Sequence, residues 1–251
     1  MSAASAFFVR ESALFVPTGM GASPWSKKAH SGVSLGGLVA HVLDRIPSPA
    51  PMQTTRITID ILGAIPLEPI SVITRIVREG RRVQLIEIDF EVEGKTWLRA
   101  SALRLRTQDG PALCHPLTHP YPDDTAAARK GATWVESIAV VSDFLVPGPG
   151  ACWVRFPCEV VAGELLSPLE TVTMAAGFGS GIASMVSIRE WTFANLDISL
   201  HLSRLPRSEW VLIDATSESA GNGIALSNTR LGDRDGMFGS AHQSIYLDRR
   251  G

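Results

Sequence analysis

The sequence has few cysteines, no excess of one charge and no long apolar run without glycine. Its three cysteines, Cys114, Cys152 and Cys158, are odd in number and form no C-x-x-C motif, so neither a disulfide framework nor a zinc site is indicated. Basic and acidic residues number 23 and 25, which argues against a duplex nucleic-acid binder. We therefore expect a protein of the reducing cytoplasm without a nucleic-acid partner.

No secretory signal and no membrane span are indicated. Arg10 and Glu11 interrupt the only apolar cluster near the N-terminus. The longest uncharged stretch, residues 171–188, contains three glycines and several hydroxyl residues, so we interpret it as part of a buried helix. With 45% hydrophobic residues, the 251-residue chain can bury a substantial core.

The same order of elements occurs twice along the chain. A short strand at residues 13–17 and a buried helix at residues 34–45 precede four strand-like runs, at residues 56–62, 70–78, 83–92 and 97–106. After a linker at residues 109–133, the order returns with apolar runs at residues 138–141 and 152–156, a helix at residues 169–185 and four more strand-like runs. This repeat of about 140 residues predicts an α+β protein of two domains, residues 1–108 and 134–251. Each domain would wrap one helix in an antiparallel sheet.

Two adjacent glycines lie inside the first predicted helix, which has a possible N-cap at Ser34. Gly36 and Gly37 each cost about 1 kcal/mol of helix propensity relative to alanine, so another part of the molecule should approach that backbone closely. Two interpretations remain open: close packing against a sheet, or a ligand at the N-terminus of the helix.

A second candidate site lies in the C-terminal repeat. Leu196, Ile198, Leu200 and Leu202 alternate with polar residues, which places Asp197 within a half-buried strand. A carboxylate there needs a partner or a task. With the hydroxyl groups of Thr216 and Ser217 and the amide of Gln243, Asp197 could hold and deprotonate a water molecule. A purely structural role is the alternative, in which Asp197 caps a loop or pairs with Arg189 or Arg204.

Two further patterns are weaker. Gly32 to Gly36 matches the G-x-S-x-G nucleophile elbow, and Asp235 and His242 follow Ser34 in the order of a hydrolase triad. That elbow requires a strand directly before the serine, which the sequence lacks. His115 and His119 have a spacing that could suit a metal, but each precedes a proline and no third ligand is near, so we predict no metal site.

Together with the repeated order and the glycine-bearing helix, two long motifs carry a family resemblance. W-T-F-A-N-L-D-I-S-L-H-L-S-R-L-P-R-S-E-W and D-R-D-G-M-F-G-S-A-H-Q-S are similar to motifs of the acyl-CoA thioesterase II-like enzymes of the double-hotdog superfamily. The resemblance implies a tandem hotdog fold and hydrolysis of a fatty acyl-CoA or similar thioester without a cofactor. It also implies that Asp197, Gln243 and either Thr216 or Ser217 orient the hydrolytic water. Gly177 and Ser180 depart from an aspartate and an asparagine that are common in related sequences.

The substrate is expected to bind at the first helix. Backbone N–H groups near Gly37 and Leu38, with Gly36, would bind the thioester carbonyl at the N-terminus of the helix. Candidates for the nucleotide phosphates of the acyl-CoA partner are Lys27, Lys28, Arg81 and Arg82. We expect a homo-oligomer with one active site per chain, built between the repeats, because the first repeat has no carboxylate that corresponds to Asp197.

Two alternatives stay open. One is a hotdog enoyl-CoA hydratase or dehydratase, which would use His30 or His41 beside a carboxylate. The other is a non-catalytic acyl-CoA-binding protein, which the residues at Gly177 and Ser180 favour.

Overall fold

The structure is a computed structural model that describes residues 6–113, 115–126, 128–130, 134–142 and 144–250. Within these residues, the first half contains a 3₁₀ turn (Gly19–Gly21), the helix α1 (Gly32–Asp44) and six strands, β1 (Ala6–Glu11), β2 (Leu14–Pro17), β3 (Met52–Ile61), β4 (Ser71–Glu79), β5 (Val83–Val92) and β6 (Lys95–Arg106). The second half contains the helices α2 (Pro168–Ala176) and α3 (Gly179–Ile182) and nine strands, β7 (Arg129–Lys130), β8 (Glu136–Ala139), β9 (Gly150–Arg155), β10 (Glu159–Val161), β11 (Trp191–Asn195), β12 (Asp197–Leu202), β13 (Val211–Ser219), β14 (Ile224–Asp233) and β15 (Gly236–Arg249).

One large antiparallel sheet joins the two halves. Its strand order is β4-β5-β6-β3-β12-β15-β14-β13-β9-β8-β7, and β11 also pairs with β15. The halves meet where β3 pairs with β12, with Ile59 opposite Ile198 and Ile57 opposite Leu200. All four side chains are buried. A smaller sheet, β10-β1-β2, connects the N-terminus of the chain to the second half through the parallel pair β1 and β10.

The two main helices share a single core. Leu38 and Val39 of α1 and Val172 and Met174 of α2 belong to the same buried cluster as the inward residues of both sheet halves. The predicted α+β architecture of two buried helices against antiparallel sheet is therefore confirmed.

The limits of the helices differ from those predicted. The first helix begins at Gly32, because Ser31 and not Ser34 is the N-cap, and Ser31 Oγ accepts a hydrogen bond from Ser34 N at 3.1 Å. The second predicted helix, residues 169–185, is broken into α2 and α3 at Gly177 and Phe178. The glycine-rich sequence G-F-G-S-G explains the break, because each glycine lowers helix propensity.

The predicted linker packs against the second half. Pro120 O accepts a hydrogen bond from Trp153 Nε1 at 3.0 Å, and the ring of Tyr121 makes an edge contact with Trp153 at 5.0 Å. His115 forms an isolated bridge with Met237. Cys114, Ala127 and residues 131–133 lie outside the described residues, and the domain limits at 108 and 134 stay a prediction.

None of the helices in the described part of the chain has the length and apolar character that crossing a membrane requires.

Candidate active site

The N-terminus of α1 carries two backbone donors without a partner. Ser31 N donates to Gly21 O at 2.8 Å, and Ser34 N donates to the Ser31 cap. The N–H groups of Gly32 and Val33 belong to the first turn, where a helix supplies no acceptor, and they make no hydrogen bond within the described residues. A Cβ atom added to Gly32 would meet no atom within 4 Å. A ligand can therefore approach these two N–H groups closely.

This position corrects the prediction that the free N–H groups lie near Gly37 and Leu38. Gly36, Gly37 and Leu38 lie in the second turn of α1, where backbone N–H groups bond to carbonyls four residues earlier. A Cβ atom on Gly36 would lie 3.2 Å from Thr173 O, and one on Gly37 would lie 3.0 Å from Val160 Cγ2. These glycines allow the close approach of α1 to α2, which favours the packing interpretation.

A cavity of about 1080 Å³ opens in front of the α1 N-terminus. It is bordered by the loop before α1, by residues 61–65, by the break between α2 and α3, and by β11. Both repeats contribute to its walls, as predicted for a site built between them. Such interdomain clefts are a preferred place for ligand sites. None of the residues 36–38 lines it.

Three side chains hold the α2–α3 break against the sheet at one side of this cavity. Gln243 Oε1 accepts a hydrogen bond from Ser180 N at 3.0 Å, and Gln243 Nε2 donates to Gly177 O at 3.4 Å. Ser180 Oγ donates to Asn195 Oδ1 at 2.7 Å, and Asn195 Nδ2 donates to Gly177 O at 3.5 Å. Gly177 also lies against Val33 of α1. The side-chain amides of Asn195 and Gln243, which both contact Gly177, are therefore close to the first turn of α1.

Asp197 lies at an irregularity between β11 and β12. Asn195 is opposite Ile245, whereas Ser199 is opposite His242, so the pairing with β15 shifts by one residue at Leu196. Asp197 Oδ1 fills the resulting gap by accepting a hydrogen bond from Ser244 N at 2.5 Å. The carboxylate therefore lies in the gap between the strands, bonded to the residue that follows Gln243, and it does not line the cavity.

The two hydroxyl candidates face opposite sides of β13. Thr216 is exposed, whereas Ser217 Oγ is buried and has no hydrogen-bond partner in the described part of the chain. Ser217 pairs with Ser227, which pairs with Gln243, so these three residues lie in a row across neighbouring strands. The structure thus groups Ser217 with Gln243 and separates Thr216 from them.

Sequence reasoning missed the roles of Ser180 and Asn195. Ser180 had been noticed only as a departure from related sequences, and Asn195 lies two residues before Asp197 in the motif A-N-L-D. Asn195 is an amide in a predicted strand, which could have marked it as a site residue. Strict alternation, however, places Leu196 on the inward face and therefore Asn195 on the outward face. Leu196 is in fact 48% exposed.

The serine triad is not assembled. Ser34 is fully buried, and its Oγ donates to backbone carbonyls of Gly21 and Ser31. Asp235 pairs with Arg207, and His242 Nδ1 lies 2.9 Å from Asn228 Oδ1. Neither reaches Ser34, so the G-x-S-x-G pattern is a coincidence of the helix start.

The two histidines near α1 have different surroundings. His41 is fully buried, with Nδ1 2.7 Å from Glu170 Oε1, and it does not line the cavity. His30 lines the cavity and stacks on Phe8, with ring centroids 5.4 Å apart. Burial lowers the pKa of His30 to about 4, and the nearby Glu68 backbone offsets this only in part, so the ring is neutral at pH 7. Within the described residues, no histidine that lines the cavity forms an ion pair with a carboxylate.

The described residues contain no group of three His, Cys, Asp or Glu side chains that could hold a metal ion.

Solved structures define the class of this fold. A protein of unknown function with a hot dog fold from Alicyclobacillus acidocaldarius superposes with a TM-score of 0.75 at 10% identity, covering 97% of this chain and 96% of that one. The acyl-CoA thioesterase II TesB2 from Mycobacterium marinum gives a TM-score of 0.70 at 17% identity, covering 96% and 95%. The tesB protein of Mycobacterium avium subspecies paratuberculosis gives 0.70 at 14%, covering 94% and 93%. The predicted tandem hotdog fold is confirmed.

Family models then identify the chain within that class. The model of the acyl-CoA thioesterase N-terminal domain matches residues 21–105, and the model of the C-terminal domain matches residues 111–247. The chain therefore belongs to the acyl-CoA thioesterase family, which confirms the predicted activity of thioester hydrolysis. No curated protein matches the sequence.

Proposed function

We propose that the thioester carbonyl of an acyl-CoA lies against the first turn of α1, with its oxygen toward the N–H groups of Gly32 and Val33. These unpaired donors beside an open cavity are the observation that carries the proposal. Donors fixed at a helix N-terminus stabilise the negative charge that develops on oxygen when water attacks. Neither donor has to break a protein hydrogen bond in order to act.

Asp197 is the proposed base for the attacking water. Its carboxylate lies in the gap of the β12–β15 ladder, where it accepts a hydrogen bond from Ser244 N, the residue that follows Gln243. We propose that this carboxylate takes a proton from a water held in the strand gap, and that Gln243 and the Ser217 hydroxyl orient that water. Support for Ser217 over Thr216 comes from its inward position on β13.

The nucleotide end of the substrate is proposed to lie near Lys27, which lines the cavity. Arg81 and Arg82 are far from it, because they lie beside Arg106 at the end of β6 that pairs with the start of β3. Ile61, at the other end of β3, borders the cavity. The 10-residue strand separates the two places by about 30 Å. Of the four cations predicted for the CoA phosphates, Lys27 is the one that lines the cavity.

The second α-helix explains why one site per chain is proposed. Ser167 and Glu170 form a capping box on α2, with Glu170 N donating to Ser167 Oγ and Ser167 N donating to Glu170 Oε2. Pro168, the first helical residue, has no N–H group. A side-chain carboxyl group thus already lies at the α2 N-terminus, where it competes with an oxyanion.

A single-turnover experiment in ¹⁸O-labelled water tests this mechanism. Direct attack by water places the label in the acid released during the first turnover. If Asp197 were acylated instead and water then attacked the Asp197 carboxyl carbon, the first acid would contain no ¹⁸O and the label would appear in Asp197. Tight binding of acyl-CoA without any release of thiol would favour the non-catalytic alternative. Hydration of an enoyl-CoA would favour the hydratase, although the neutral, unpaired His30 gives that reaction little support.

We also propose a cytoplasmic homo-oligomer. Cys152 and Cys158 are both buried and suit a reducing compartment. The edge strand β4 exposes Ile73, Ile76 and Val77, which a second copy could cover. Light scattering coupled to gel filtration tests this, and a monomer at all concentrations would contradict it.

A further inference from the structure

Aromatic side chains are concentrated around the cavity. The chain has 9 Phe, 6 Trp and 2 Tyr residues, and six of these line the cavity, namely Trp25, Trp134, Phe144, Phe178, Phe193 and Tyr246. The remaining apolar lining is contributed by smaller residues such as Ala29, Val33 and Leu35. The cavity is therefore bounded by rings to a greater degree than the rest of the molecule.

Three of these rings form a contiguous surface, which we call the ring wall and define as Trp134, Phe144 and Phe178. Phe178 stacks on Trp134 with centroids 5.8 Å apart and planes at 29°, and it meets Phe144 at 5.3 Å and 70°. These are the offset and edge-to-face geometries that aromatic pairs prefer.

Further rings outside the cavity fix the orientation of the ring wall. Phe156 stacks behind Phe178 at 6.0 Å and 17°, and Phe7 makes an edge contact with Trp134 at 5.4 Å. A second pair, Trp25 and Phe193, also lines the cavity, with centroids 5.0 Å apart at 70°. An incoming ring would thus meet faces and edges that are already positioned.

The ring wall begins beside the proposed reaction centre. Phe178 follows Gly177, and a Cβ atom on Gly177 would lie 3.4 Å from Val33 Cγ2 in the first turn of α1. A group that contacts Phe178 is therefore only a few bonds from a carbonyl held by the Gly32 and Val33 N–H groups. Rings at this place would contact the part of the acyl group nearest the thioester.

We propose that the preferred substrates are arylalkanoyl-CoA thioesters, whose acyl group carries an aromatic ring within about three carbons of the carbonyl. This inference rests on the proposed function of the same cavity. Aromatic pairs are worth about 0.5–1.5 kcal/mol beyond the area that they bury, which corresponds to roughly a twofold to tenfold preference for each ring contact. Two or more contacts with the ring wall should give about a tenfold preference over an acyl group of equal carbon number.

Three nine-carbon substrates test the proposal: 3-phenylpropanoyl-CoA, 3-cyclohexylpropanoyl-CoA and nonanoyl-CoA. The kcat/KM for the phenyl substrate should exceed that for the cyclohexyl substrate about tenfold, although the two have similar bulk. In Phe144→Leu and in Phe178→Leu this ratio should fall to about one or two. Tyr121→Leu is the matched control, because Tyr121 contacts Trp153 outside the cavity, and it should leave the ratio unchanged.

Binding measurements separate this inference from the proposed function. The corresponding thioether analogues, which cannot be hydrolysed, are titrated by calorimetry against the wild-type chain and both leucine variants. Equal affinity for the phenyl and cyclohexyl analogues, or a ratio that the variants do not change, would overturn the ring preference. A preserved affinity ratio with no hydrolysis of any of the three substrates would instead overturn the proposed reaction.

Discussion

Asp197 is the residue on which the proposed chemistry depends most. Asp197→Asn should lower kcat by about a hundredfold or more, the range for removing a general base, while the affinity for a thioether analogue stays nearly constant. The amide can still accept the hydrogen bond from Ser244 N, so the strand gap should remain intact.

The control for this variant lies on the neighbouring strand. Asp60 is opposite Asp197 in the β3–β12 pairing and is exposed. Asp60→Asn should leave kcat and affinity unchanged. Equal losses in the two variants, or a loss of folding in Asp197→Asn, would show that Asp197 has a structural task.

His30 should make the stability of the protein depend on pH. Burial lowers the folded-state pKa to about 4 from 6.5, so the unfolded chain binds the proton more readily between these values. The free energy of unfolding should therefore fall as the pH drops from 6.5 toward 4, by at most about 3 kcal/mol from this residue. His30→Gln, which does not titrate, should show a smaller difference in urea midpoint between pH 7 and pH 4.5. Identical differences in the two proteins would contradict the assignment.

Lys27 should affect only substrates that carry the nucleotide. Lys27→Gln should raise KM for an acyl-CoA about fivefold to tenfold, as expected for one charge-assisted phosphate contact, and leave KM for the matching acyl-pantetheine unchanged. Arg81→Gln, at the distant end of the sheet, should change neither. An effect of Arg81→Gln alone would move the nucleotide site to the arginines.

Two glycines of α1 are predicted to have different roles, Gly36 in packing against α2 and Gly32 in binding the thioester carbonyl. Gly36→Val should lower the free energy of unfolding by about 1–3 kcal/mol, because the added atoms press on the Thr173 backbone of α2. Gly32→Val faces open space and should change stability by less than about 1 kcal/mol. It should nevertheless reduce kcat/KM at least about tenfold, because it covers the Gly32 and Val33 donors.

Urea denaturation and steady-state kinetics on both variants test this separation. If Gly36→Val were stable and inactive while Gly32→Val were fully active, the carbonyl site would belong to the second turn after all.

Strands were easier to predict from the sequence than their interruptions. The alternation from Ile198 to Leu202 predicted the right face of β12, because half-buried strands require that period. The runs that became β3 to β6 were predicted as strands from their apolar and β-branched residues and the turn residues between them. The same alternation extended to Leu196 gave the wrong face there, because one extra residue between β11 and β12 reverses the direction of side chains. Local periodicity contains no information about such a shift, which depends on the register with β15. For this reason Asp197 could be singled out from sequence, whereas Asn195 could not.

The predicted start of the first helix was wrong because it too depends on a contact that is distant in the sequence. Ser31 and Ser34 are both suitable caps by residue type, and only the contact of Ser31 N with Gly21 O decides between them. The free donors were consequently expected five residues too late in the chain. The strand β1 was also missed, because its polar end at Arg10 and Glu11 obscured the fully buried Phe7 and Phe8.

At the scale of the whole molecule, the two halves should act as one enzyme with one site. Active-site titration with a slowly hydrolysed thioester should give one equivalent per chain, because the α1 N-terminus opens on the cavity whereas the α2 N-terminus is covered by its capping box and begins with a proline. Neither half alone should hydrolyse a thioester, since the cavity draws its walls from both. Two equivalents per chain, or an active C-terminal half, would contradict a site shared between the repeats.

The unequal ends of α1 and α2 also bear on how a duplicated fold can diverge. A complete N-cap typically stabilises a protein by about 1 kcal/mol, and the second repeat has this advantage at Ser167. The first repeat has its own serine cap at Ser31, but it lacks the glutamate half of the capping box and leaves two first-turn donors without acceptors within the described residues. In a protein built from two copies of one unit, the more stable copy can offset the loss of folding free energy in the copy that carries the unpaired donors of the active site. The empty enzyme would then be less stable than its complex, and heat resistance would itself report on occupancy.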